Sequence, residues 1–260
     1  MPRSRIRPAR RRLDWRTLVL QTGVVMLGVV AGFQIDDWGQ RRADRAKERV
    51  YLRQLAADLR ETERRFTDLD RKMLAWERAP RRLIQAHYRT APAHPDSVLR
   101  WALQVPLHDA EWPVTGTARA LVSFGDLSLV RDDRLRAAIT GYLDAVDENT
   151  GAYNLWNRLF TEHTHAYATL IDGGALLAQG QSPERLAALD AAEAWTAMVP
   201  ADAVGALPPF DPAPFTRSND MRRLLTSILI DKGNMKVSRD RFRNEAEALR
   251  EQVETALADA

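Results

Sequence analysis

LRQLAADLRETERRFTDLDRKMLAW, residues 52 to 76, places Leu52, Leu55, Leu59, Thr62, Phe66, Leu69, Met73 and Trp76 at alternating intervals of three and four. That spacing puts all eight on one face of an α-helix, the seam of a coiled coil or a helical bundle. Between them lie charged pairs such as Arg60-Glu61 and Arg64-Arg65, which read as a solvated face. A helix of this kind gains little from propensity alone and must bury its stripe against another element. The stretch therefore predicts a long helix with a partner.

Two further segments carry seams of the same period. From Asp132, a capping residue type, a helix is expected to run to Ile171 and stop at Gly173-Gly174. Its seam is Ile139, Leu143, Val146, Thr150, Tyr153, Phe160, Tyr167 and Ile171. The last segment, about Arg217 to Leu257, has Met221, Leu225, Ile228, Met235, Phe242, Ala246, Leu249 and Val253. Lys232 and Arg239 interrupt that seam, so water is expected to reach parts of it. Folding the last helix back antiparallel along the first matches seam to seam. Leu52 and Leu55 then fall near Val253 and Leu249, Phe66 near Phe242, and Trp76 near Ile228.

Between the seams the chain is punctuated by Pro80, Pro92, Pro95, Pro106 and Pro113, which break it into short pieces. Short helices fit Asp96 to Val105 and Thr117 to Phe124, the latter stopped at Gly125. Ser182-Pro183 opens another, to about Met198, with Ser as cap and Pro at the first position. Pro200, Pro208, Pro209, Pro212 and Pro214 make 199–215 a stiff, extended connection. Strand-type alternation is nearly absent. The fold class expected is all-α, an antiparallel helical bundle with long first and last helices.

Before the first seam lies LVLQTGVVMLGVVAGFQIDDW, residues 18 to 38. The 19 residues from Thr17 to Ile35 carry no charge and would make roughly 28 Å of helix, close to the hydrocarbon thickness of a bilayer. Trp15 and Trp38 bracket the run at headgroup depth. A cleaved signal would need a shorter apolar region and a small-x-small site. The one such pattern, Val30-Ala31-Gly32, lies inside the run. The segment reads as an uncleaved single transmembrane helix over 17–38, after a basic arm at 1–16 and before a bundle domain at 39–260. Seven arginines precede the run and six Lys or Arg closely follow Asp37, with the Asp36-Asp37 pair at the exit. By the positive-inside rule the N-terminus is cytoplasmic and the main domain periplasmic, at a bacterial inner membrane. Gln21, Gly28 and Gly32 share one helix face, the last two as a GxxxG, and predict homo-oligomerisation through the membrane helix.

Composition narrows the chemistry. The 260 residues contain no cysteine, which excludes disulfides, thiolate metal sites and cysteine nucleophiles. The net charge of +3 leaves no global basic surface for nucleic acid, and the arginine arm is better matched to anionic headgroups. No P-loop, G-x-G-x-x-G, G-x-S-x-G or H-E-x-x-H occurs. Glu162 and His165 form one E-x-x-H, but a di-iron bundle needs two of them plus two further carboxylates. His163 and His165 point to different sides of a helix, and His87, His94 and His108 share no ligand spacing. No cofactor, metal or catalytic residue is assigned.

Two stretches resemble a group of uncharacterised single-pass bacterial membrane proteins. One is Gly28-Val-Val-Ala-Gly-Phe-Gln-Ile-Asp-Asp-Trp38 with Glu48 to Leu59; the other is Ala120 to Arg136, followed by Tyr142. The group's pattern is an apolar span closing on Gln-Ile-Asp/Asn-Asp/Asn-Trp, then a helix with Tyr-Leu and Asp-Leu. Here Gly32-Phe33 stands where the group has Ala-Leu, and one Tyr where a pair is common. The resemblance implies an anchored helical domain and no particular activity. The expected function is a membrane-anchored scaffold or sensor acting through an unidentified protein partner. The alternative is an enzyme or small-ligand-binding protein with its site between bundle helices. A large polar pocket with converging charged groups would favour the alternative, and a fully apolar core the scaffold.

Overall fold

The computed structural model describes residues 15–171 and 210–259, with side chains in 15–37 left out apart from Met26. Its elements are α1 (Trp15–His87), α2 (Pro95–Gln104), α3 (Gly116–Ser123), a 3-10 turn (Asp126–Leu129), α4 (Asp133–Leu170), the short α5 (Ala213–Arg217) and α6 (Asn219–Ala258). Every described element is helical. The chain divides into two compact units, Met1–Val50 and Tyr51–Ala260. In the first, α1 exposes Met26 and Trp38, and the Arg42 guanidinium lies 5.6 Å from the centre of the Trp38 ring.

The membrane expectations are corrected. Among the described residues no helix is long and apolar enough to cross a membrane. Where its side chains are described, α1 is amphipathic: its apolar residues form a seam flanked by ionic pairs, whereas hydrocarbon requires an apolar surface all round. The transmembrane helix over 17–38 is withdrawn. With it go the lipid bilayer as partner, oligomerisation through a membrane helix, and the inner-membrane, single-pass placement. Gln21, Gly28 and Gly32 belong to helical backbone, and their side chains lie outside the described residues. The helix expected from Ser182 to Met198 also lies outside them.

In the second unit the seams behave as their period requires. On α1, Leu52, Leu55, Leu59, Thr62, Phe66, Leu69 and Met73 are buried, and Trp76 is half-buried. The helix does not stop at Pro80, which removes one backbone donor. Ala79, Leu83 and Ala86 continue the buried face beyond it, and their packing carries the helix to His87. On α6 all eight expected seam residues are buried. Each fully buried Leu or Phe of these faces contributes about 1.5–3 kcal/mol.

The last helix lies antiparallel along the first. Phe66 and Phe242 stack with ring centres 5.5 Å apart, as the seam match predicts. Arg60 pairs with Glu254 at 2.7 Å, Arg250 with Glu63 at 2.6 Å and Arg243 with Asp70 at 2.8 Å. These pairs correct the register at both ends. Glu63 stands opposite Arg250, so α6 lies about two turns further toward the C-terminal end of α1 than a match of Leu55 to Leu249 would place it. Glu77 meets Arg239, which puts the Trp76 turn beside Arg239 and not Ile228. The ionic rows flanking the seam choose the register, because a slide by one turn would put like charges opposite one another.

The central helix α4 also runs antiparallel to α6. Asn149 donates to the Ser238 carbonyl at 2.8 Å inside the core, and His163 meets Asp231 further along. Consequently α1 and α4 run the same way, and the chain must return along the bundle between them. Residues 88–132 make that return. α2 is held by the Tyr167 hydroxyl, which donates to the Ala102 carbonyl at 2.9 Å. α3 is held by Asp58, which accepts from the Thr117 N–H at 3.1 Å and its hydroxyl at 2.6 Å. The Asp132 cap forms, accepting from the Arg134 N–H at 2.8 Å. Gly125 follows α3 with φ of 77°, the left-handed geometry that suits glycine.

Candidate functional site

The seam of α6 contains the first candidate. Lys232 and Arg239, in phase with Leu225, Ile228, Met235 and Phe242, are 2% and 1% exposed, so the expectation that water reaches this face is corrected. Arg239 is held because α1 presents acids beside its own seam. Its Nε donates to Asp70 at 3.1 Å and one Nη to Glu77, while the other Nη is buried without a partner. Among the described residues Lys232 has no carboxylate partner. Its Nζ donates to the Leu107 carbonyl at 2.6 Å and sits 4.8 Å from the centre of the Phe160 ring, a cation–π contact. Burial is the main cause that pushes its pKa down to about 8.

Two rings close this layer. The His108 Nε2 lies 3.0 Å from the Tyr153 hydroxyl, and its Nδ1 is buried with no partner. Burial first, then the charges of Lys232 and Arg239, push His108 down to about 4. Burial likewise pushes Tyr153 up to about 12. The layer thus holds a neutral imidazole and a neutral phenol beside two buried cations. Such an arrangement contributes little to stability for what its desolvation costs, since well-packed apolar residues would do as well or better. Buried polar atoms without partners in a native core call for an explanation beyond packing.

One consequence can be measured. His108 has a folded pKa of about 4 against an ordinary 6.5, so the unfolded chain takes up its proton first as pH falls. Stability is therefore lost from about pH 6.5 downward and levels off near pH 4. At about 1.4 kcal/mol per pH unit, reduced for partial exposure, the loss approaches about 2 kcal/mol. Urea unfolding of the wild type and His108→Gln at pH 7.5, 5.5 and 4.5 should show the wild type losing that much more than the variant. Parallel profiles would refute the assignment.

The second candidate is a cavity of about 380 Å³ at the C-terminal end of α1, closed by α5. It is lined by His87, Arg89, Thr90, Asp211, Thr216 and Arg217, among others. His87 is half-buried on the last turn of α1, and its Nδ1 is fully buried without a partner among the described residues. Arg89 and Arg217 are exposed and have no ion-pair partner among the described residues. Pro92 and Pro212 stiffen the two segments that meet here.

The residues singled out from the sequence fall elsewhere. Glu162 and His165 are exposed on α4 and do not converge. His163 turns inward instead, its Nδ1 2.6 Å from the buried Asp231. Among the described residues no group of three or more His, Asp or Glu is placed to hold a metal ion. Sequence reasoning missed the layer, although its signal was present: two cations exactly in phase with an apolar seam, and Asp70 and Glu77 beside the facing one. It also missed the cavity, for which the sequence offers no local pattern.

Comparison with known proteins adds no relative: no family model, no curated protein and no solved structure matches the chain. The resemblance to single-pass membrane proteins is corrected accordingly. Its two short stretches do not amount to a family match, and the anchor it implied is not found among the described helices.

Proposed function

We propose that the bundle is a small-ligand-binding domain, with its site in the cavity between the end of α1 and α5. The observation that carries this reading is a cavity of about 380 Å³ into which polar side chains converge, with the His87 Nδ1 buried and unpartnered beside it. A volume near the lower end of the roughly 300–1,000 Å³ usual for ligand pockets suits a small molecule. The core supports the same reading, because a scaffold needs no buried charge and this core holds Asp231, Lys232 and Arg239.

The test is to fill the cavity. Ala213 lines it and is half-buried at the start of α5, so Ala213→Trp projects a large ring into the space. Ligand-observed NMR with a library of small polar fragments should give hits on the wild type that the variant loses, with the thermal midpoint changed by only a few degrees. Identical hits on both proteins would rule the cavity out as the site.

A further inference from the structure

We propose that this cavity takes an anion, a ligand bearing a phosphoryl or carboxylate group held between Arg89 and Arg217; the inference rests on the cavity being a binding site. The donors outweigh the acceptors on its wall. Two guanidiniums, with no ion-pair partner among the described residues, face a single carboxylate, Asp211. That carboxylate is already engaged, its Oδ1 accepting from the Ala213 N–H at 2.9 Å.

The end of α1 would ordinarily repel an anion, since the last carbonyls of a helix carry partial negative charge. Here two of them are occupied. The Gln85 carbonyl accepts from the Tyr88 N–H and the Ala86 carbonyl from the Arg89 N–H, each at 3.3 Å. The Thr90 hydroxyl and the His87 imidazole add groups able to donate a hydrogen bond. A planar guanidinium matches the oxygens of a phosphoryl or carboxylate group in pairs, and two of them on separate segments can clamp one anion. Another cavity, about 550 Å³ between the start of α4 and the end of α6, has the opposite balance: Asp132, Glu251 and Asp259 face only Arg134. It serves as an internal control.

Calorimetric titration of the full chain at pH 7 and constant ionic strength tests the class. The probes are inorganic phosphate and succinate, with glucose and putrescine as the neutral and cationic comparisons. Phosphate or succinate should bind saturably, and whichever binds more tightly separates phosphoryl from carboxylate recognition. Arg89→Gln and Arg217→Gln should each weaken that binding about tenfold or more, as expected for the loss of a charge-assisted hydrogen bond. Arg134→Gln should leave it unchanged. Both cavity arginines are exposed, so neither variant threatens the fold. Equal affinity in the arginine variants, or binding of glucose or putrescine but neither anion, overturns the anion assignment. Fragment hits that Ala213→Trp abolishes would then leave the ligand-binding reading standing. If no fragment is lost and no anion binds, both fall together.

Discussion

Phe66→Asp is expected to unfold or nearly unfold the bundle, at a cost of about 5 kcal/mol or more. Phe66 is fully buried and stacks on Phe242, which in turn lies 6.5 Å from the Tyr153 ring, so three helices meet at this point. Removing a buried phenyl ring costs about 3–5 kcal/mol through lost transfer energy and the cavity left behind. The new carboxylate adds the cost of a charge without a partner or of its forced protonation. Most single domains have only about 5–15 kcal/mol to lose. Phe66→Leu separates the two effects, since it keeps an apolar side chain and should cost far less. The check is urea unfolding followed by circular dichroism. A loss below about 1 kcal/mol in Phe66→Asp would mean that α1 and α6 do not pack as described.

The second large effect is expected at Arg239. Arg239→Met replaces a buried cation by an apolar chain of similar length and leaves Glu77 without its partner, whereas Asp70 retains Arg243. Breaking one side of a buried pair costs about 3–5 kcal/mol, chiefly through the charge left behind. Removing that charge should therefore recover most of the loss. Arg239→Met combined with Glu77→Leu is expected to be far more stable than Arg239→Met alone, with a coupling of about 2 kcal/mol or more in a double-mutant cycle. Additive losses would show that the pair acts only as filler.

The contrast between Phe66 and Arg239 marks where sequence reading succeeds and where it stops. Phe66 was legible as a seam position and so was its partner, because a three-four repeat identifies a buried helix face without knowledge of the rest. Arg239 occupies the same kind of position, yet by its charge alone it reads as a gap in the seam. Whether a cation in phase with apolar residues is exposed or buried depends on what faces it, and the facing acids lie on a helix far back in the chain. Pro80 shows the same dependence from the other side. As a local signal it ends a helix, but the buried Ala79, Leu83 and Ala86 keep α1 going. The apolar run before Trp38 reads as a membrane span by length and charge alone, and the described helices do not bear that out.

What the sequence determined by itself is what near neighbours in the chain can decide. It set the all-helical class, the three long seams, the Asp132 cap and the stop at Gly125, since each is a matter of side chains within a few turns of one another. The antiparallel pairing of first and last helices was also within its reach, because two matched stripes need each other to leave water. Only the tertiary structure decided the register of that pairing, which depends on ion pairs such as Arg250 with Glu63. It alone brought Asp70 and Glu77 to Arg239, and the turn after α1 to α5 so that Arg89 and Arg217 line one cavity. Electrostatic contacts and cavities join residues distant in the chain, and such joint positions leave no periodic trace in the sequence.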